Sequence, residues 1–347
     1  ENILYFHSLL EDRAQILKCD LIQGTTYTPI TFLSYDIPVI SHFGSTAYGF
    51  LRDTPPYKKT EEEEKAWILE ARAAGVLREL DIKTRRPQRD IADIEQYVAK
   101  HADHVVATSQ KVREELIKQD VPDERISVIH NAIEDYWFTD PPLKTVSETP
   151  SLVFLGRIGD DPFTFLLKGI DRLFAIYSQF PKLPKRTFGI SPNEYLSAFM
   201  NDRFQLHETR LNVAKHELPG LIKQHWGDIC LITSRYEGFS LSLIEGMSQG
   251  LIPIIFKVGV APEVIRDGEN GFLVESVKEA KQRVTQLAKD PEMRRLMAAA
   301  AWESAQNFKA DDMVEKFVRL YKKVLSERPR GVARFFRKWG VKARKKN

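Results

Sequence analysis

The sequence predicts an α/β protein made of two doubly wound, Rossmann-like units, and three observations carry that prediction. From Cys230 to Val274 the chain reads strand, helix, strand, helix, strand, and its strands (CLITS, IPIIF, FLV) are continuous apolar runs. Apolar strands separated by helices mean a parallel sheet covered on both faces. The same rhythm recurs earlier, with PVISHFGS, HVVATS and ISVIHNAI as the apolar runs. The length, 347 residues, fits two domains at roughly 150 residues each.

The first unit spans 1–138. ILYFHS and a helix-like LLEDRAQIL lead to DLIQG, a short strand ending at Gly24. PVISHFGS, from Pro38, carries His42 and Gly44 to its C-terminal end, and TPPYKK is loop. Thr60-Glu-Glu-Glu has the form of a capping box opening a long helix through Leu80. Its four-glutamate run reads as a solvated first turn suited to the helix dipole. Ile91, Ile94 and Val98 form a core-facing helical stripe. HVVATS follows as a strand, Ser109 as N-cap of KVREELIKQ, and ISVIHNAI as the last strand. A proline-rich polar stretch over 139–150 is the linker.

The second unit spans 151–310. SLVFLG is a buried strand with Gly156 at its end and Arg157 directly after. LLKGIDRLFAIYSQF is an amphipathic helix with Lys168 and Gly169 in its first turn. KRTFGIS and RFQLHET are read as strands around the helix NEYLSAF, ahead of the stretch described first. There Glu237, Gly238 and Ser240 fall at a C-terminal strand end, where sites on such sheets form. Gly250 stops the following helix, and a further helix starts at Pro262. Two helices follow, and a last one over 311–327 sets Met313, Phe317, Leu320 and Leu325 along one face, packing back on the first unit.

Composition sets the outer bounds. An apolar share of 43% and a charged share of 29% suit a soluble globular protein. Two distant cysteines, Cys19 and Cys230, argue against a disulfide framework or a cysteine metal site and for a reducing compartment. No apolar run is long enough to span a membrane. The net charge of +3 hides an asymmetry: 328–347 holds nine Lys or Arg and no acid, leaving 42 basic against 48 acidic residues elsewhere. Phe335, Phe336 and Trp339 share one helical face of that tail, which predicts attachment to an anionic membrane surface. A disordered basic tail is the plainer reading. Nothing else in the chain reads bases, so no nucleic-acid partner is expected.

An Arg at one strand end and a Lys at a helix start suit a diphosphate, Arg157 as a two-pronged donor and Lys168 as a point charge. The helix after Glu237 adds free N–H groups and its positive dipole end. Together they can neutralise a leaving diphosphate without a metal or other cofactor. Glu237 and Glu245 can each accept two hydroxyl hydrogen bonds, one from a sugar and one from a ribose. Each residue has a plainer reading. Glu245 can close a capping box, Ser242-Leu-Ile-Glu245. Arg157 can be a surface residue, Glu237-Gly238 a turn, and His42 a satisfied core histidine.

In its order, the combination resembles the retaining glycosyltransferases of family 4 (group 1), which have the two-domain GT-B fold. Their signature, a Glu, seven residues and a second Glu, is matched by EGFSLSLIE from Glu237 to Glu245. GMSQGLIPII, VGVAPEVI and DGENGFLV are similar to the family's next three motifs, and FLGRIG and LLKGID to its phosphate-side Arg and Lys-Gly. SVIHNAI, ADHVVATS and PVISHFG resemble its first-domain strand endings. The resemblance implies that Arg157 and Lys168 bind the donor diphosphate and that Glu245 holds the nucleotide ribose. It implies that Glu237 and the backbone of Gly238, Phe239, Ser240 and Leu241 hold the transferred sugar and phosphate, with His42 facing the reacting sugar. The expected reaction moves a sugar from a nucleotide-diphosphate sugar to a hydroxyl of a glycan or lipid-linked glycan, keeping the anomeric configuration. Cell-envelope synthesis at the cytoplasmic face of a membrane is the expected setting.

Three departures qualify the resemblance. The family's first strand and glycine-rich loop should precede residue 1, so the chain, starting ENILYF, is expected to be incomplete at its N-terminus. FGISPN replaces a glycine-rich turn, and Asn131-Ala132 replaces Asn-Gly at the hinge strand. Two other readings stay open: a donor-binding partner subunit without activity, and an epimerase or phosphorylase on the same architecture.

Overall fold

The computed structural model describes residues 19–77, 82–138, 145–159, 162–191 and 194–327. The expected LLEDRAQIL helix, the basic tail and part of the linker lie outside them. Two parallel sheets form, one from each half. The first holds β1 (Ile22–Thr25), β2 (Val39–Phe43), β3 (His104–Ala107) and β4 (Ile126–Val128) side by side in chain order. The second holds β5 (Leu152–Arg157), β6 (Lys185–Ile190), β7 (Glu208–Leu211), β8 (Ile229–Ile232), β9 (Ile252–Phe256) and β10 (Phe272–Val274), in the order β10-β9-β8-β5-β6-β7. The winding therefore reverses between β5 and β8, and ligands of such sheets bind beyond the strand ends at that reversal. Every residue of β3, β8 and β9 is buried, as continuous apolar runs require.

Helices α1 (Ala47–Asp53), α2 (Glu62–Ala73), α3 (Ile82–His101) and α4 (Gln110–Lys118) come from the first half. The second half supplies α5 (Pro162–Leu167), α6 (Ile170–Gln179), α7 (Glu194–Phe204), α8 (Leu218–Ile222), α9 (Leu241–Ser248), α10 (Ala261–Val264), α11 (Val277–Lys289), α12 (Pro291–Ala305) and α13 (Ala310–Ser326). Ser109 does cap α4, accepting from Val112 N at 3.2 Å. The apolar face of α13 lies on the first sheet: Phe317 and Leu320 pack with Ile40, Val106 and Ile129. Burying two such side chains contributes about 1.5–3 kcal/mol each, more than the Tyr321–Gln23 hydrogen bond beside them. Tyr321 and Val324 complete that face, whereas Leu325, expected on it, points outward.

Several local expectations are corrected. The RFQLHET strand is confined to Glu208–Leu211, because α7 runs on through Phe204. LLKGIDRLFAIYSQF forms two helices, α5 and α6, and Lys168 and Gly169 lie in the turn between them. Gly169 takes φ 63°, and a Cβ there would stand 1.9 Å from the Thr233 carbonyl oxygen, so the turn requires glycine. Helix α2 stops at Ala73 rather than Leu80, just before Gly75 turns left-handed at φ 73°. Its N-cap is Glu61, with no side-chain cap bond, so the Thr60 capping box does not form.

Nor is the glutamate run wholly solvated. Glu64 is 4% exposed, and it accepts from Arg235 Nη2 at 2.8 Å and from Arg172 Nε at 3.1 Å. Arg235 also makes a two-pronged bond to the fully buried Asp171, at 2.8 and 2.6 Å. Trp67 and Ile68 of α2 join the core of the second half, Trp67 packing 5.7 Å from Phe174 and 5.2 Å from Phe204. A helix drawn from the first half thus belongs to the packing of the second. Breaking a buried charge cluster leaves an uncompensated ion, so Glu64→Ala should lower unfolding free energy by about 3–5 kcal/mol. Urea titration checks this, with a loss under about 1 kcal/mol counting against a tightly paired cluster.

Candidate active site

Four consecutive residues leave β8 toward different partners. Arg235 enters the Glu64–Asp171 cluster. Tyr236, 1% exposed, crosses to the first half, where its hydroxyl donates to Glu115 Oε2 at 2.8 Å and accepts from Thr46 N at 3.0 Å. Its ring lies against Gly49, where a Cβ would come within 2.3 Å. Glu237 turns back to its own half. Its Oε1 accepts from Lys168 Nζ at 2.6 Å and from Ser234 Oγ at 2.7 Å. At Gly238 the backbones of the two halves meet: a Cβ would stand 1.8 Å from the Gly44 carbonyl oxygen, and Ser109 Oγ donates to the Gly238 carbonyl at 2.6 Å. The C-terminal edges of the two sheets therefore face each other here.

The turn carrying Lys168 is stitched to the loop after β8. Thr233 Oγ1 donates to the Lys168 carbonyl at 3.1 Å, and Arg235 N to the Leu167 carbonyl at 2.8 Å. Lys168 and Glu237 thus stand across the switch point between β5 and β8. Arg157, at the end of β5, is exposed, and its side chain has no ion pair with another described residue. Phe239 is buried, its ring packing on His130 and Phe308.

Helix α9 begins at Leu241 with Ser240 as N-cap, so Ser242 and Glu245 form no capping box. Ser240 is held at φ 85°, its Oγ buried with no hydrogen-bond partner in the structure. Non-glycine residues in that region are strained and cluster at functional sites. Leu243 N donates back to the Ser240 carbonyl at 3.2 Å, and the earlier N–H groups of α9 have no carbonyl one turn back within the helix. Glu245 is 6% exposed, with Oε1 3.1 Å from Lys215 Nζ, and Lys215 also bonds Glu134 at 2.8 Å. Burial pushes the Glu245 carboxyl up, and Lys215 counteracts that.

His42 lies at the end of β2, its ring edge-on to Phe317 at 5.4 Å. Nε2 is buried with no hydrogen-bond partner among the described residues, and burial lowers its pKa, keeping the imidazole neutral at pH 7. His42 and Leu241 line one cavity of about 450 Å³ together with Asn131 and α13. Glu237, Lys168, Gly238 and Ser240 thus come together at the facing edges, and His42 and Leu241 share the adjoining cavity. The sequence reading missed Ser234, Lys215, and the Tyr236–Glu115–Thr46 crossing. Tyr236 stood next to a singled-out residue, but Glu115 sits in an ordinary amphipathic helix and carried no signal.

Two Rossmann-like sheets with facing C-terminal edges and a basic and acidic cluster at the second switch point define the GT-B class. Comparison with known proteins gives the family. Residues 205–303 match the family described as Glycosyl transferases group 1, and residues 2–135 match Glycosyltransferase Family 4. The chain belongs to the group 1 and family 4 glycosyltransferases. It is 35% identical over 107 residues to N-acetyl-alpha-D-glucosaminyl L-malate synthase of Bacillus anthracis, covering 30% of this chain and 28% of that protein. It is 30% identical over 169 residues to the phosphatidylinositol N-acetylglucosaminyltransferase gpi3 subunit of Schizosaccharomyces pombe, covering 47% and 36%. The matches thus span well under half of these relatives' lengths. In fold the chain is similar to a sucrose-phosphate synthase from Thermosynechococcus elongatus (TM-score 0.70, 18% identity, 94% of this chain and 79% of that one). It is also similar to Anabaena HepE in complex with UDP and glucose (TM-score 0.64, 16% identity, 92% and 81%).

The crossing also contains a proton that pH can remove. Glu95 Oε2 accepts from Ala47 N at 2.7 Å, and burial, aided by nearby Glu115, raises its pKa from 4.5 to about 7. Between those values the folded chain holds a proton that the unfolded chain has lost, so this group's contribution to stability falls as pH rises through that window. Glu95→Gln should remove up to about 3 kcal/mol of that slope. Urea titrations of both proteins from pH 5 to 8 read the difference, and parallel curves would contradict it.

Proposed function

We propose that the chain transfers a sugar from a nucleotide-diphosphate sugar to a hydroxyl of a glycan or lipid-linked glycan, with retention of anomeric configuration. The observation that supports it most is the switch-point cluster, where Lys168, Glu237 and Ser234 are joined and Arg157, at the neighbouring strand end, has no ion pair with another described residue. Arg157, Lys168 and the N–H groups opening α9 supply positive charge where a leaving diphosphate develops its negative charge. No resident cofactor enters this scheme. Glu237, held from two sides, orients sugar hydroxyls. Glu245, buried one turn into α9, receives the ribose hydroxyls, exchanging its contact with Lys215 for them. Tyr236 and Gly238 hold the two halves together, so that His42 faces the sugar from across the cleft.

In the retaining reaction, the acceptor hydroxyl attacks the face that the diphosphate leaves, and the departing phosphate oxygen takes the hydroxyl proton. Neutral His42 then has a hydrogen bond to offer the sugar rather than a proton to remove.

A panel of UDP, GDP and ADP sugars should raise the melting temperature with one base, by about 2.7 kcal/mol of stabilisation at a hundredfold excess over Kd. Arg157→Ala should erase that rise, and Lys168→Ala should lower kcat about 100–1000-fold. Silence from every nucleotide would sink the donor site, and an inverted product linkage by NMR would sink retention.

Membrane attachment through 328–347 belongs to the same proposal. Among the described residues no helix is long and apolar enough to cross a membrane. Sedimentation with anionic vesicles should carry the protein down, and deletion of Arg330–Asn347 should abolish this, each basic residue near the surface contributing about 1 kcal/mol. Equal pelleting of both forms would remove the anchor.

A further inference from the structure

The cavity beside His42 is built for an amphiphile. It encloses about 450 Å³, within the usual range for small-ligand pockets. Its lining is mixed: Gln23, His42 and Asn131 are polar, and Leu241 at the start of α9 and Val314 and Val318 of α13 are apolar.

Those three residues are the informative ones. Leu241 is 38% exposed, Val314 52% and Val318 41%, yet all line the same cavity. Val314 and Val318 are four apart and share a face of α13, distinct from the Phe317–Leu320 face seated on the sheet. The rest of the exposed surface of α13 is mostly charged, with Glu315, Lys316, Arg319 and Lys322 all exposed. Val314 and Val318 border the cavity, and Leu325, further along the same helix and also exposed, does not line it.

Resting on the acceptor reading above, we propose that this cavity binds the apolar part of the acceptor: an alkyl or aryl group attached to a sugar whose hydroxyl lies at His42. The occupant follows from continuity. His42 and Leu241 belong both to the candidate transfer site and to the cavity wall, so a ligand filling the cavity holds its polar end at the reacting face of β2. A wholly polar glycan leaves the valine strip in water. The hydrocarbon of an amphiphile covers it, and burial is worth about 25 cal/mol per Å² of apolar surface. Val314, Val318 and Leu241 are then specificity-determining residues for the acceptor.

The test uses the full chain and pairs of glycosides differing only in the aglycone: methyl, octyl and phenyl glucosides, N-acetylglucosaminides and mannosides, below their micelle concentrations. Binding is measured by calorimetry with and without UDP, GDP or ADP. In at least one pair the octyl or phenyl member should bind about tenfold or more tightly than the methyl member. Val314→Asn with Val318→Asn should abolish that advantage and leave nucleotide binding unchanged. Both positions are exposed, so the variant keeps its fold. Equal binding within every pair overturns the proposal, as does an advantage that survives in the double variant. An advantage that emerges only after deleting Arg330–Asn347 also overturns it, since the cavity then belongs to the chain's own tail. A failed donor site shows separately, as absent nucleotide binding with aglycone discrimination intact.

Discussion

The architecture depends on four consecutive residues in the loop after β8. Arg235, Tyr236, Glu237 and Gly238 are adjacent in sequence but are held, respectively, by a helix of the first half together with its own, by the first half's interior, by the switch-point lysine, and by the backbone of the opposite sheet edge. With four such contacts on consecutive residues, a short loop cannot shift one without dragging the others. The position of Glu237 is thus set by contacts on both sides of it, and the geometry of the site is inseparable from how the halves meet. Gly238 makes the constraint strictest, because backbone against backbone leaves no side chain to relax.

Charge is handled differently in the two neighbouring clusters. Around Arg235, two carboxylates and a carbonyl satisfy a guanidinium that is 6% exposed, and a second arginine, Arg172, sits over Phe256 at 4.3 Å while bonding Glu64. Buried pairing of this kind gains little over an apolar core but penalises any misdocking, which suits a contact that must form one way. At the switch point the charges are only partly covered: the side chains of Lys168 and Glu237 are 27% and 15% exposed. A pair still reached by water is weakly bound and can be exchanged for a charged ligand. The buried cluster fixes the frame, and the wetter one remains available.

Much of this was legible in the sequence where periodicity and local geometry decide. The apolar runs gave the parallel strands because a doubly covered sheet tolerates nothing else. Ser109 was readable as a cap. What failed to show was long-range pairing. Nothing in EEEEKAW distinguishes the solvated Glu61–Glu63 from the buried Glu64, since the difference lies in Arg235, 171 residues away. Likewise, Ser242-Leu-Ile-Glu245 has the form of a capping box, but the chain enters the helix two residues earlier, through a strained Ser240 that no propensity favours. Leu325, five residues beyond Leu320, lies well round the helix from the Phe317–Leu320 face and so points outward.

The strain at Ser240 and the unpartnered His42 Nε2 belong to one argument. Each costs free energy in the isolated fold, the first through its backbone and the second through a buried polar atom left without a hydrogen bond. They come from different halves, yet each adjoins Leu241 or the cavity it lines. A fold can remove either cost cheaply, with glycine at position 240 or an apolar residue at position 42. Retaining both beside one cavity fits the proposed transfer, in which phosphate oxygens meet the N–H groups opening α9 and the acceptor occupies the cavity that His42 lines. The tight contact at Gly238 keeps the two halves of that arrangement together.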